Sequence, residues 1–127
     1  MTAQPRGALA NRRVLVAEDE YFIARDIGRA LHALGAEVVG PVPSRDGVQA
    51  ILATGERLDA AILDINLDGE MVFPVMEALA ARGIPVVFAT GYDQATVPAQ
   101  YQDIPRWQKP FNPRALVQAL PDLVRTP

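Results

Sequence analysis

The sequence predicts an α/β domain with a doubly wound parallel sheet, and three observations carry that prediction. Short, near-continuous apolar runs recur along the chain, as in strands buried on both faces. Segments of helical period separate successive runs, as the crossovers of a parallel sheet require. Finally, the runs end in polar residues of different chemistry: Val14–Ala17 in Glu18-Asp19, Ala60–Leu63 in Asp64, Val86–Ala89 in Thr90, and Trp107-Gln108 in Lys109-Pro110. In an open α/β sheet the carboxyl ends of the strands share one edge, where ligands bind.

Each element has its own local reason. Residues 1–11 contain Pro5 and Gly7, show no periodicity and are expected to form a mobile tail before a domain spanning 12–127. From Tyr21 to Leu34, Ile23, Ile27, Ala30, Leu31 and Leu34 recur at helical spacing and Gly35 follows as a cap. His32 falls opposite that stripe and reads as a solvated side chain. Glu37–Val39 is a short strand closed by Gly40-Pro41. Ser44 caps a helix carrying Val48, Ile51 and Leu52, which Gly55 ends. Pro74 opens a helix with Met76, Leu79 and Ala80 inward, stopped at Gly83. Residues 91–105 hold Gly91, Pro98 and few strong apolar residues, so a short or frayed fourth helix is expected there. Asn112-Pro113 supplies a cap and first turn for a last helix bearing Leu116, Val117 and Leu120.

Composition narrows the function. A chain of 127 residues, half of them hydrophobic and 21% charged, makes one domain with a substantial core. A net charge of −3 and no basic cluster beyond Asn11-Arg12-Arg13 leave nucleic acid without an electrostatic footprint. No apolar run approaches the roughly 20 residues of a membrane span, and no secretory signal opens the chain. The expectation is a cytoplasmic protein, monomeric or weakly dimeric. The absence of cysteine removes thiolate metal sites and cysteine nucleophiles.

The polar strand ends divide by charge. Carboxylates held together repel unless a cation joins them, so Glu18, Asp19 and Asp64 imply a divalent ion. All-oxygen ligation, with no Cys and a single His in the chain, favours Mg²⁺. Lys109 and Thr90 suit an anion of several oxygens, such as a phosphoryl group, bound against that ion. Asp64, ending the strand expected at the centre, is the candidate nucleophile for an aspartyl phosphate. Two other chemistries use similar residues. Asp64–Gly69 matches the first half of a calcium-binding EF-hand loop, but Val75 stands where the bidentate Glu is needed. A phosphohydrolase of the haloacid-dehalogenase type needs an acid two residues after its nucleophile, where this chain has Asn66.

With Glu18-Asp19, Leu63-Asp64, Ala89-Thr90-Gly91 and Lys109-Pro110-Phe111 in order, the chain from Val14 to Val124 resembles the receiver domain of two-component response regulators. Phe88–Tyr92 reads Phe-Ala-Thr-Gly-Tyr, as in the "FAT GUY" subgroup of receivers; Asp64–Leu67 and Val72–Val75 also look like that subgroup. The resemblance implies a flavodoxin-like (βα)5 fold with strand order 2-1-3-4-5. It implies that Asp64 accepts a phosphoryl group from a sensor histidine kinase, in a phosphorelay that acts through protein contacts or drains phosphate. Catalysis would be limited to self-phosphorylation and autodephosphorylation. Asp19, Asp64 and the main-chain carbonyl of Asn66 would ligate Mg²⁺, Glu18 through water, while Thr90 and Lys109 hold the phosphoryl oxygens. Lys109-Pro110 would be cis. Gly91 would leave the phosphoryl group accessible, and Asn66 and Tyr92 would tune its loss. Most receivers carry an aromatic three residues before the Lys; here Arg106 stands there, beside Trp107, so Tyr92 or ordering of 91–105 is expected to carry the switch. No output domain follows within the sequence. A stand-alone regulator and a fragment of a longer one both fit.

Overall fold

The computed structural model describes residues 7–91 and 97–124. Its centre is a parallel sheet of five strands: β1 (Arg13–Ala17), β2 (Glu37–Val42), β3 (Ala60–Asp64), β4 (Val86–Thr90) and β5 (Arg106–Gln108). Their order is β2-β1-β3-β4-β5, which is the 2-1-3-4-5 arrangement expected of the resemblance. Every position of β3 and β4 is buried, which accounts for their unbroken apolar sequences.

Alternation along the strands sends side chains to opposite layers. Val14, Val16, Ile62 and Val87 pack with Ile27 and Leu31 of α1 (Tyr21–Ala33) and with Leu116 and Val117 of the last helix. Leu15, Leu63 and Phe88 point the other way, against Val48 of α2 (Arg45–Ala53) and Met76 and Leu79 of α3 (Met76–Ala81). The last helix, α4 (Pro113–Gln118), continues into a 3-10 turn at Leu120–Asp122 that carries the buried Leu120. The expected caps are in place. The Ser44 hydroxyl accepts from Gly47 N at 3.0 Å, and the Asn112 side chain accepts from Arg114 N at 2.9 Å. His32 is exposed.

Three expectations need correction. The expected mobile tail does not extend over residues 7–11: Leu9 is wholly buried among α1, β1 and α4, and its N–H donates to Leu34 O at 3.0 Å. A lone leucine has no period to announce such packing. Residues 1–6 lie outside the described residues. The strand expected to close at Val39 runs to Val42, with a register shift opposite β1 that absorbs Gly40-Pro41. A Cβ at Gly40, whose φ is +99°, would lie 2.9 Å from Val16 O, so the bulge requires glycine there. Pro74 sits in a 3-10 turn, Phe73–Val75, that buries Val75 ahead of α3, where Ala80 is exposed. Beyond these corrections, Asp64 is followed by a small antiparallel hairpin, Asn66–Leu67 with Glu70–Met71. Its two-residue turn has φ of 52° at Asp68 and 88° at Gly69, the left-handed pair that an Asp-Gly turn adopts.

Between β4 and β5, the described part of the crossover contains one 3-10 turn, Ala99–Tyr101, in keeping with a short fourth helix. Tyr101 stacks on Phe73 at 5.8 Å between centroids, and Phe73 meets Phe88 edge-on at 5.9 Å. No helix among the described residues is long and apolar enough to cross a membrane.

Candidate functional site

Parallel pairing sets the polar strand ends side by side. Ala17 pairs with Leu63, Asp64 with Ala89, and Thr90 with Gln108, so Glu18, Asp64, Thr90 and Lys109 all emerge at one sheet edge. Lys109 follows β5 through its N–H, which donates to Thr90 O at 2.8 Å, and Lys109-Pro110 is cis as expected. A cavity of about 480 Å³ opens there, lined by Asp19, Glu20, Asp64, Asn66, Gly91 and Lys109 among others.

The Lys109 ammonium organises the cluster. It donates to Glu18 Oε2 at 3.0 Å, Glu20 Oε2 at 2.9 Å and Asp64 Oδ2 at 2.9 Å. Burial opposes its charge, but bonds to Glu20, Asp64 and Glu18 prevail and raise its pKa above the usual lysine range. Asp64 is buried, and its other oxygen accepts from Asn66 N at 3.1 Å. Glu18 is buried as well. Its Oε2 also accepts from Glu20 N, whereas Oε1 is buried with no partner among the described residues. Burial, reinforced by the Asp64 charge, pushes the Glu18 carboxyl up to about 8, against the pull of Glu20 N and Lys109.

These features fit a divalent cation. One carboxylate oxygen from each of Glu18, Asp19 and Asp64 lies within 4.8 Å of the others, and the orphaned Glu18 oxygen needs positive charge or a proton. An all-oxygen set is compatible with Mg²⁺. Asp19 is exposed, and its Oδ2 accepts from Asp68 N at 2.8 Å. The hairpin after Asp64 thereby orients a second carboxylate.

The remaining sequence-based candidates divide. Thr90 is buried, and its hydroxyl donates to Gly91 O at 3.2 Å. Gly91 lines the cavity, and a Cβ there would meet nothing within 4 Å among the described residues. The Asn66 amide oxygen accepts from Gly69 N at 2.8 Å, which commits it to the hairpin turn. Arg106 is exposed at the start of β5, opposite Phe88, and is not brought to the cavity. Tyr92 lies outside the described residues.

Solved structures share this arrangement of strands and helices. A CheY-like response regulator receiver domain protein from Methanospirillum hungatei JF-1 superposes with a TM-score of 0.74 over 88% of this chain and 93% of that one; at 17% identity, this likeness shows the fold alone. The solution structure of SdrG from Sphingomonas melonis Fr1 matches at 42% identity, covering 94% of this chain and 99% of that one, with a TM-score of 0.77. The chain belongs to the response regulator receiver family. The receiver is also 30% identical to the response regulator PhyR of Brucella abortus, covering 94% of this chain and 49% of that one, with a TM-score of 0.74. The transcriptional regulatory protein PdtaR of Mycobacterium tuberculosis is 30% identical over 118 residues, and the receiver spans 57% of the length of these curated relatives. No family model matches the chain.

One member of the receiver's site escaped the sequence reading. Glu20 follows the acidic pair directly, and its carboxylate reaches Lys109 from the start of α1. The acidic run Glu18-Asp19-Glu20 was the available signal. A third acid beside a helix start reads as an ordinary cap until Lys109, 89 residues away, is seen against it.

Proposed function

We propose that this receiver accepts a phosphoryl group on Asp64 from the phosphohistidine of a sensor histidine kinase and works in the cytoplasm in a two-component phosphorelay. The observation that carries the reading is the state of Asp64: a buried carboxylate facing an open cavity, with one oxygen on Lys109 and the other on Asn66 N. An Asp64 oxygen attacks phosphorus, the P–N bond of the donor breaks, and its electron pair stays with the departing imidazole. Lys109 balances the added negative charge, and Thr90, its hydroxyl released from Gly91 O, donates to a phosphoryl oxygen. Water later attacks the same phosphorus, returning the Asp64 carboxylate and inorganic phosphate. The protein is thus a regulator that turns over its own modification, not an enzyme acting on a separate substrate.

Glu18, Asp19, Asp64 and the Asn66 main-chain carbonyl would hold Mg²⁺, which when bound neutralises charge between Asp64 and the incoming phosphoryl group. The motif Phe88–Tyr92 supports placement in the Phe-Ala-Thr-Gly-Tyr subgroup. SdrG, whose BeF3-activated conformation has been solved and which is 42% identical to this chain, supports activation by a phosphoryl-like group. The output is a protein contact or the removal of phosphate from a kinase.

Incubation with Mg²⁺ and acetyl phosphate, read by intact mass, tests the proposal. The wild type should gain one phosphoryl group and Asp64→Asn none. No gain in the wild type, or an equal gain in Asp64→Asn, overturns it.

A further inference from the structure

A lysine ammonium has three N–H donors and no acceptor. In this receiver all three are in use, on Glu18, Asp64 and Glu20. A phosphoryl oxygen that is to bond Lys109 must therefore displace one of these carboxylates. Their surroundings decide which. The Glu18 and Asp64 side chains are 1% and 5% exposed, whereas that of Glu20 is 58% exposed. Losing Lys109 would leave a buried carboxyl oxygen of Glu18 or Asp64 without that donor but would return Glu20 to water at little cost. Glu20 is also placed to serve Lys109 in preference to its own helix. It occupies the N-cap position of α1 but makes no side-chain cap bond there. Its carboxylate instead borders the cavity that holds Asp64.

We propose that Glu20 is the gate of the phosphorylation site. It occupies the third donor of Lys109 in the resting receiver, leaves that donor when the phosphoryl group arrives, and thereby sets how fast an anionic phosphodonor can modify Asp64. The gate rests on the phosphoacceptor reading of Asp64 and adds to it a specific residue with a direction of effect. Two physical terms act in the same sense. The contact with Lys109 must break, and the Glu20 charge at the cavity mouth repels an incoming dianion. Glu20 is a positioning residue, since it acts through Lys109 and the local field.

The test compares the full chain with Glu20→Gln and Glu20→Asp, phosphorylated by acetyl phosphate with Mg²⁺ and followed by intact mass at low and high salt. For an exposed charge of this kind, Glu20→Gln should phosphorylate about 2–10-fold faster at low salt. The ratio should shrink towards unity as salt screens the charge. Glu20→Asp keeps the charge but shortens the reach by a methylene, and should be intermediate. It also carries the test if Glu20→Gln fails to fold. Urea midpoints should be nearly equal across the three proteins, whereas a merely structural role would move the midpoints and leave no salt-dependent ratio. A wild type that gains a phosphoryl group while Glu20→Gln is equal or slower overturns the gate alone. A wild type that gains none overturns the phosphoacceptor reading, and the gate with it.

Discussion

The two ends of the sheet carry similar numbers of charges and use them in opposite ways. At the amino ends of β1, β2 and β3, three arginines meet three acids: Arg13 bonds Glu37 and Glu56, while Arg12 and Arg57 pair with Asp59. Asp59 additionally accepts from Arg13 N at 2.8 Å, and the Arg13 Nε donates to Arg57 O at 2.7 Å. Cation and anion balance there. At the carboxyl ends, among the described residues, a single ammonium serves Glu18, Glu20 and Asp64, with Asp19 close by and one buried carboxylate oxygen left unpartnered. The balanced end ties strands together. The unbalanced end stores repulsion that a cation can relieve, and local conflicts of this kind are expected where function is placed.

That contrast yields a graded series of tests. The largest effect on stability should come from the amino-terminal side, where Leu9→Ala empties a wholly buried position and should cost about 2–4 kcal/mol in urea denaturation. Phosphoryl gain on Asp64 should be unchanged in that variant; a surviving midpoint would mean that Leu9 is not part of the core. Asp59→Ala comes next. It removes the acceptor shared by the Arg13 N–H and the Arg57 guanidinium and should cost about 1–3 kcal/mol, with phosphoryl gain on Asp64 unchanged. The smallest effect has the opposite sign. Glu18→Gln removes a buried carboxylate that Asp64 repels and should stabilise the metal-free protein by on the order of 1 kcal/mol. Mg²⁺ should stabilise the wild type by mass action, and the same change should weaken that effect. If Glu18→Gln is destabilising in the presence of a chelator, the carboxyl end is balanced after all and the contrast fails.

Much of this was legible in the chain because it depends on local pattern. The burial of every residue of β3 and β4 follows from unbroken apolar runs, and the capping by Ser44 and Asn112 from a polar side chain directly before a helical stripe. The hairpin of Asn66–Leu67 with Glu70–Met71 is not legible in the same way, because its strands are too short to show alternation. The β2 strand was cut short because Gly40-Pro41 reads locally as a terminator, while pairing with β1 resumes beyond it. Glu20 was hidden for a related reason: its neighbours in sequence give it a plausible role that its neighbour in space replaces.

The sequence by itself determined the alternation of elements and which polar residues stand at strand ends, since periodicity and chain direction are local properties. It also divided those residues by charge into a cation set and an anion set. Tertiary structure alone decided that Leu9 belongs to the core, that the Asp68 N–H holds Asp19, and that Lys109 is fully engaged by three carboxylates. Those are contacts across long stretches of chain, which leave no period in the sequence. They exist only once burial has brought distant strand ends to the same edge.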